Sequence, residues 1–221
     1  YLGSHKGNEF LITIRNLANK EIKTIENKLG NNKILMPNFF GPQRFSNNNA
    51  ETGKSIIKKD FKKAIKLILE ANSDYSSEIN QHLGKKPNDF VVALKIIPLN
   101  LLKLYIHSYQ SFLFNKTLEQ CIQSNKKLKN NNEKFPVIGF GTEIENNKIG
   151  NITKKIMEEE KIAERDFIIR QIPELSSEGS EREAFIKIND FKIINQDNDE
   201  LNKNKEKIIV KFSLPKGCYA T

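Results

Sequence analysis

The spacing of apolar residues changes period along this chain, and each change marks an element. From Glu9 to Arg15 hydrophobic and polar positions alternate, with Phe10, Ile12 and Ile14 on one face and Leu11, Thr13 and Arg15 on the other, the two-residue period of a half-buried strand. Leu17, Ile22, Ile25 and Leu29 then recur at helical intervals with charges between them, which predicts a helix over 17–29. Lys54 to Ala71 reads as one amphipathic helix that buries Ile57, Phe61, Ile65, Ile68 and Leu69 and turns Lys58, Lys59, Lys62, Lys63 and Lys66 outward. A long helical run starts at Leu99, behind a proline suited to a first turn, and continues to about Leu128, where asparagines 130–132 end it. A further helix is predicted over 152–163. Strands are predicted over 184–194 and 207–214, joined by a polar Asn- and Asp-rich segment at 195–205. Strands near both ends with helices between them predict an α+β chain whose terminal strands meet in space around an inserted helical unit.

One stretch fits neither period. Lys33 to Phe45 holds Pro37, Pro42, Gly41, three phenylalanines, two amides and an arginine. The prolines fix their own φ and bias Met36 and Gly41 away from helix, so the backbone is stiff, while the glycine permits a turn or a close approach. Asn38, Gln43 and Arg44 supply donors, and Phe39, Phe40 and Phe45 offer faces on which a base can stack. An aromatic structural turn and a binding loop are both consistent with that composition.

Bulk properties narrow the classes. At 221 residues the chain can bury a sizeable core in one large or two modest domains. Lys and Arg number 36 against 27 acids, a net charge of +9, which suits a polyanionic partner such as RNA and equally suits a merely lysine-rich surface. Cys121 and Cys218 are isolated thiols, the pattern of a reducing cytoplasm. The most apolar stretch, 90–106, is interrupted by Lys95, Pro98, Asn100 and Lys103, so no membrane span is expected. Gly53-Lys54-Ser55 mimics the end of a phosphate-binding loop, but position 48, where the earlier glycine belongs, is Asn48. Gly139-Phe-Gly141 lacks its third glycine at Ile144. His5, His82, His107 and the cysteines show no metal-ligand spacing.

Four segments occur in a telling order: Gly3-Ser-His-Lys-Gly-Asn-Glu-Phe10, the loop from Pro37 to Phe45, Ser108-Tyr-Gln-Ser-Phe-Leu-Phe-Asn115, and Phe212-Ser-Leu-Pro-Lys-Gly-Cys-Tyr-Ala-Thr221. Together they resemble the TruD family of pseudouridine synthases in its archaeal form, with its patterns G-N-x-F, P-N-[FY]-[FY]-G-x-Q-R-F, Q-S-x-x-F-N and L-P-x-G-[CSA]-[FY]-A-T. Phe135 to Gly139 and Arg170 through Arg182 agree with that family as well, so the resemblance covers nearly all of the chain. Ser46, where the family more often has glycine, is a minor departure.

The resemblance implies a pseudouridine-synthase catalytic domain with a mainly antiparallel mixed sheet, formed by residues 1–34 and 191–221. It also implies an inserted α/β TRUD domain over 35–190, whose hinge falls in the Pro-rich loop and borders a cleft between domains. The implied activity is isomerisation of uridine to pseudouridine in transfer RNA, at uridine 13. The expected partner is transfer RNA or other structured RNA, in the cytoplasm, with no cofactor, metal, membrane or obligate protein partner. Such an enzyme must unstack a uracil, detach it, rotate it and rejoin it through carbon, which calls for an aspartate, a flat ring against the base and amides at its polar edge. By position, Asn8 is the amide near the aspartate and target uridine, and Phe10 the ring against the base. Phe40, Gln43 and Arg44 contact RNA or tie the hinge. Lys216, Gly217 and Tyr219 belong to the terminal motif, with Lys216 placed to meet a phosphate, while Ser108 to Asn115 are expected to be structural.

The family's aspartate lies in a pattern G-x-K-D-x-x-A-x-T-x-Q upstream of G-N-x-F, and no match to it occurs here. None of Asp60, Asp74, Asp89, Asp166, Asp190, Asp197 or Asp199 sits in that context. With Tyr1 in place of Met at the start, the chain is expected to be a fragment, inactive alone. The competing reading is a non-catalytic RNA-binding module.

Overall fold

A computed structural model describes residues 7–29, 35–46, 48–124 and 133–218. In chain order these form β1 (Gly7–Leu17), α1 (Asn19–Leu29), β2 (Leu35–Pro37), α2 (Asn49–Ile57), α3 (Phe61–Glu70), α4 (Ser76–Lys85), α5 (Phe90–Lys95), α6 (Leu99–Ser124), β3 (Lys134–Val137), α7 (Lys148–Glu160), β4 (Ser180–Glu183), β5 (Phe185–Lys187), β6 (Asn189–Asn198) and β7 (Glu206–Pro215). The chain divides into two compact units, one of Tyr1–Asn38, Lys129–Glu133 and Glu183–Thr221, the other of Phe39–Leu128 and Lys134–Arg182.

In the first unit the terminal strands do meet. β1 pairs antiparallel with β7, which pairs antiparallel with β6. Phe10 lies opposite Phe212, Ile12 opposite Val210 and Ile14 opposite Ile208, so the predicted apolar face of β1, half-buried, is continued on β7 and packs with the buried Ile22 of α1. Removing that surface from water is the main force holding the unit together, at about 25 cal/mol per Å² of apolar area. The predicted strand over 184–194 is two strands. β5 pairs with β2, and β6 begins at Asn189, where a left-handed Asp190 (φ 54°) and a register shift redirect the chain. β6 then runs on to Asn198 through residues expected to be a loop. As an edge strand it needs backbone pairing but no apolar partner, so its polar side chains remain in solvent.

The turn after β6 is closed by Asp199. Its carboxylate accepts hydrogen bonds from the Asn16 and Leu201 amides at 2.8 and 3.0 Å, from Asn202 at 2.8 Å and from the Arg15 guanidinium at 2.9 Å. Burial pushes its pKa up, but the Asn16, Asn202, Leu201 and Arg15 bonds outweigh burial and hold it well below the usual carboxylate range. A depressed folded pKa stabilises above the unfolded value of about 3.9, and the contribution is lost as pH falls from there toward the folded pKa. Asp199→Asn should therefore melt roughly a few degrees lower than the parent at pH 7, with the gap closing below about pH 4. A gap of the same size at pH 3 would contradict this reading.

The second unit is mainly helical, with a two-stranded sheet of β3 and β4. The single helix predicted over 54–71 is broken. Lys59 is left-handed (φ 61°), its amide bonds Ile56 O at 3.0 Å, and the Asp60 amide bonds Ser55 O at 2.9 Å, the paired bonds that end a helix in a Schellman motif. Asp60 then caps α3 by accepting from the Lys63 amide at 3.0 Å. Apolar spacing across the break stays nearly helical, which is why periodicity alone read through it. α7 starts at Lys148, earlier than predicted, because Asn147 accepts from the Gly150 amide at 2.8 Å and nucleates the first turn. Helix α6 is buried around much of its circumference and packs on α2 at Gly53, where an added Cβ would sit 2.0 Å from the Tyr105 carbonyl oxygen. Glu160 of α7 joins the three helices, accepting from Lys54 at 2.7 Å, from Lys116 at 3.0 Å and from the Tyr109 hydroxyl at 3.3 Å.

Candidate functional site

The expected site residues fall into two groups, one in each unit. In the first unit Asn8 and Phe10 share a face of β1, two residues apart, and both are half-buried. Asn8 stands opposite Leu214, and Gly7 opposite Pro215. The β1 backbone approaches β7 so closely there that a Cβ on Gly7 would lie 2.3 Å from the Leu214 carbonyl oxygen. The chain then turns immediately: the Cys218 amide bonds Pro215 O at 3.2 Å, and Gly217 takes φ 80°, the positive φ that a type II turn asks of its third residue. Lys216 and Gly217, both exposed, are thereby brought to the same end of the ladder as Asn8. Tyr219 lies outside the described residues, as does His5.

The Phe10 ring stacks on Phe212 at 5.5 Å between centroids, and Phe212 stacks on Phe191 at 6.4 Å. An aromatic row therefore crosses β1, β7 and β6. Phe191 carries no motif and was not singled out in the sequence, although its place two residues after the start of β6 aligns it with the row.

In the second unit the aromatic loop is clamped onto α6. The side-chain amide of Asn115 accepts from the Phe40 amide and donates to the Phe40 carbonyl, both at 2.9 Å, and Ser108 Oγ donates to the Arg44 carbonyl at 2.6 Å. Gln110 Nε2 donates to Ile138 O at 2.7 Å. The 108–115 motif is structural as expected, but through these polar bonds as well as through packing: Ser108, Gln110 and Ser111 are buried on the helix side that receives the loop. The loop continues through a short 3-10 turn over Pro42–Phe45, which leaves Gln43 exposed and Arg44 half-buried.

Phe40 sits at the centre of this arrangement. Its ring meets Phe114 edge-on at 5.5 Å, while the Arg44 and Arg182 guanidinium carbons lie 5.4 and 4.1 Å from its centroid. Phe40, Arg44 and Arg182 line a cavity of about 340 Å³ with His107, Gln110, Ser111, Val137, Glu178, Ser180 and Glu181. His107 is exposed, yet desolvation of its ring, then the charges of Arg44 and Lys103, lower its pKa, so the imidazole is neutral at pH 7. Sequence reasoning did not select Arg182 or His107 as contacts. Arg182 lies far from Phe40 in sequence, and His107 is one helical residue before the motif; only the fold juxtaposes them.

Several aspartates have structural duties. Asp60 caps α3, Asp89 caps α5 through the Val92 amide, Asp166 accepts from the Ala163 amide at 2.9 Å, and Asp199 closes the turn described above. Among the described residues no helix is long and apolar enough to cross a membrane.

A family model for tRNA pseudouridine synthase D (TruD) matches residues 1–80, 68–134 and 129–221. Among curated relatives, a Methanosarcina acetivorans protein named "Probable tRNA pseudouridine synthase D" is 28% identical, covering 100% of this chain and 67% of its own length. One of the same name from Thermococcus sibiricus is 28% identical over 100% of this chain and 68% of its own. The crystal structure of the Methanosarcina mazei protein described as tRNA pseudouridine synthase D (TruD) superposes with a TM-score of 0.81 at 25% identity, covering 99% of this chain and 68% of that one. The chain thus spans about two thirds of the length of these proteins.

Proposed function

Because the chain belongs to the TruD family of tRNA pseudouridine synthases, we propose that the protein it represents isomerises uridine to pseudouridine in transfer RNA, at uridine 13. The observation that carries this reading is the match of the family model along the whole chain, supported by the convergence of Asn8, Phe10 and the 215–218 turn at one end of a sheet. The reaction needs no net oxidation and no added group. A nucleophilic carboxylate opens the glycosidic bond, the freed uracil turns, and carbon replaces nitrogen at the sugar. While the bond is open the protein must keep the base from leaving. In this reading Phe10 lies flat against the uracil, Asn8 hydrogen-bonds its polar edge, and Lys216 meets a neighbouring phosphate, held at that end by the glycine turn. Phe40, Gln43 and Arg44 contact the RNA, and Tyr219 belongs with Lys216 in the terminal motif. The nucleophile is not assigned to any aspartate of these 221 residues, since none carries the family's pattern.

The activity is tested by expressing the complete reading frame that encodes this chain, incubating it with unmodified transfer RNA and mapping pseudouridine. Product at uridine 13 is expected. A map without product at any uridine overturns the reading. Phe10→Leu, which keeps an apolar side chain against Phe212, should reduce turnover by about 1 to 3 kcal/mol through lost stacking on the base. Unchanged turnover would remove Phe10 from the pocket.

A further inference from the structure

The Phe40 cavity holds a pair of guanidiniums where the motifs led one to expect an open aromatic face. We infer that Arg182, together with Arg44, binds a phosphodiester group of the substrate RNA in this cavity, using Phe40 as a platform that orients both guanidiniums. The inference rests on the tRNA-modifying reading above and adds to it a residue and a ligand group.

The geometry carries it in three steps. First, Arg182 lies 4.1 Å from the Phe40 centroid and 5.8 Å from that of Phe114, close enough for a cation–π contact that fixes the plane of the guanidinium. A guanidinium laid on a ring keeps its N–H edge, and that edge is the part that matches two oxygens of a phosphate. The same contact occupies the Phe40 ring with a cation, which argues for phosphate recognition there over stacking of a base. Second, Arg44 approaches the same ring at 5.4 Å and, among the described residues, makes no ion pair. Two guanidiniums brought to one ring favour an anion beside them. Third, the remaining lining suits an anion. The His107 ring supplies a polar hydrogen, and of the two lining glutamates, Glu178 and Glu181, the second is offset by Lys134 at 3.4 Å. The loop that brings Arg44 to the ring is anchored by the Asn115 and Ser108 bonds, so the platform exists before RNA arrives and little ordering cost is added on binding.

The test uses the complete protein and unmodified transfer RNA. Affinity is measured across a salt series for the parent, Arg182→Gln, Arg182→Lys and Arg44→Gln, alongside steady-state KM and kcat. Arg182→Gln should weaken binding about tenfold and reduce the slope of log K against log salt by about 0.7 to 0.9, the signature of one lost phosphate contact. KM should rise while kcat at saturating RNA holds. Arg182→Lys should restore the slope and only part of the affinity, because lysine returns the charge without the planar fork. Affinity and slope unchanged in both Gln variants would overturn the inference, as would a parent protein with no salt-dependent affinity for transfer RNA. Should Arg182→Gln fail to fold by circular dichroism, the same readouts on Arg44→Gln decide. A parent that binds transfer RNA but forms no pseudouridine defeats the proposed activity, while the slopes still decide the phosphate site.

Discussion

Replacing Gly53 by alanine is expected to destabilise the helical unit by about 3 to 5 kcal/mol. Gly53 lies inside α2 and faces α6. Alanine is the better helix former, by roughly 1 kcal/mol in an exposed helix, so local propensity predicts a gain. Tertiary packing decides otherwise, because the added Cβ would stand 2.0 Å from the Tyr105 carbonyl oxygen and 3.2 Å from the Ile106 amide nitrogen. Both contacts are backbone atoms in the middle of a long helix and cannot swing aside as a side-chain tip would. Either α2 shifts off α6, uncovering Ile56 and Ile57, which are 0% exposed, or the α6 backbone distorts. Chemical denaturation of the parent and variant measures the loss directly, and a change below about 1 kcal/mol would mean that the two helices are not packed through this glycine.

Asn115→Ala should cost about 2 to 4 kcal/mol and weaken RNA binding at the same time. One amide side chain satisfies both the N–H and the C=O of Phe40, each at 2.9 Å in a partly buried place, and its removal strands two backbone groups at about 1 to 3 kcal/mol each, less whatever water recovers. Phe40 is also the ring that Arg44 and Arg182 lie on, so freeing its backbone loosens both guanidiniums. Asn115→Asp separates the two bonds. The carboxylate still accepts from the Phe40 amide but presents charge to the Phe40 carbonyl, and should destabilise at neutral pH and recover in acid as it protonates. Hydrogen exchange at the Phe40 amide is the local readout. Retained protection in Asn115→Ala would show that the loop is held by something other than this clamp.

Period and motif carried the larger features into view before any coordinates did. The alternation of Phe10, Ile12 and Ile14 predicted a half-buried strand, and its partner at 207–214 pairs with it in register. The ordered motifs pointed to the family that the chain belongs to. The break at Lys59 was hidden because a left-handed lysine has no sequence signature of its own; a glycine there would have announced it. The extension of β6 through polar residues was hidden because an edge strand is held by backbone bonds that periodicity does not report. Asn115 looked like the tail of an apolar helical stripe, and its role emerges only once the loop some 75 residues earlier is laid across it. Arg182 was missed for the same reason: a cation over a ring is a long-range juxtaposition, and nothing in the spacing of Ser180 to Glu183 says which ring. The aspartates were legible by elimination, and caps and turn closures account for several of them.

The central claim is that the Asn8 and Phe10 face of β1, beside the 215–218 turn, grips the extruded uracil. Its most direct test is photocrosslinking with transfer RNA carrying 5-bromouridine in place of uridine 13, followed by sequencing of the crosslinked peptide from the complete protein. The account predicts that the label falls on the β1 peptide at Phe10 and disappears in Phe10→Leu. A crosslink confined to other peptides, unchanged by that substitution, would contradict it.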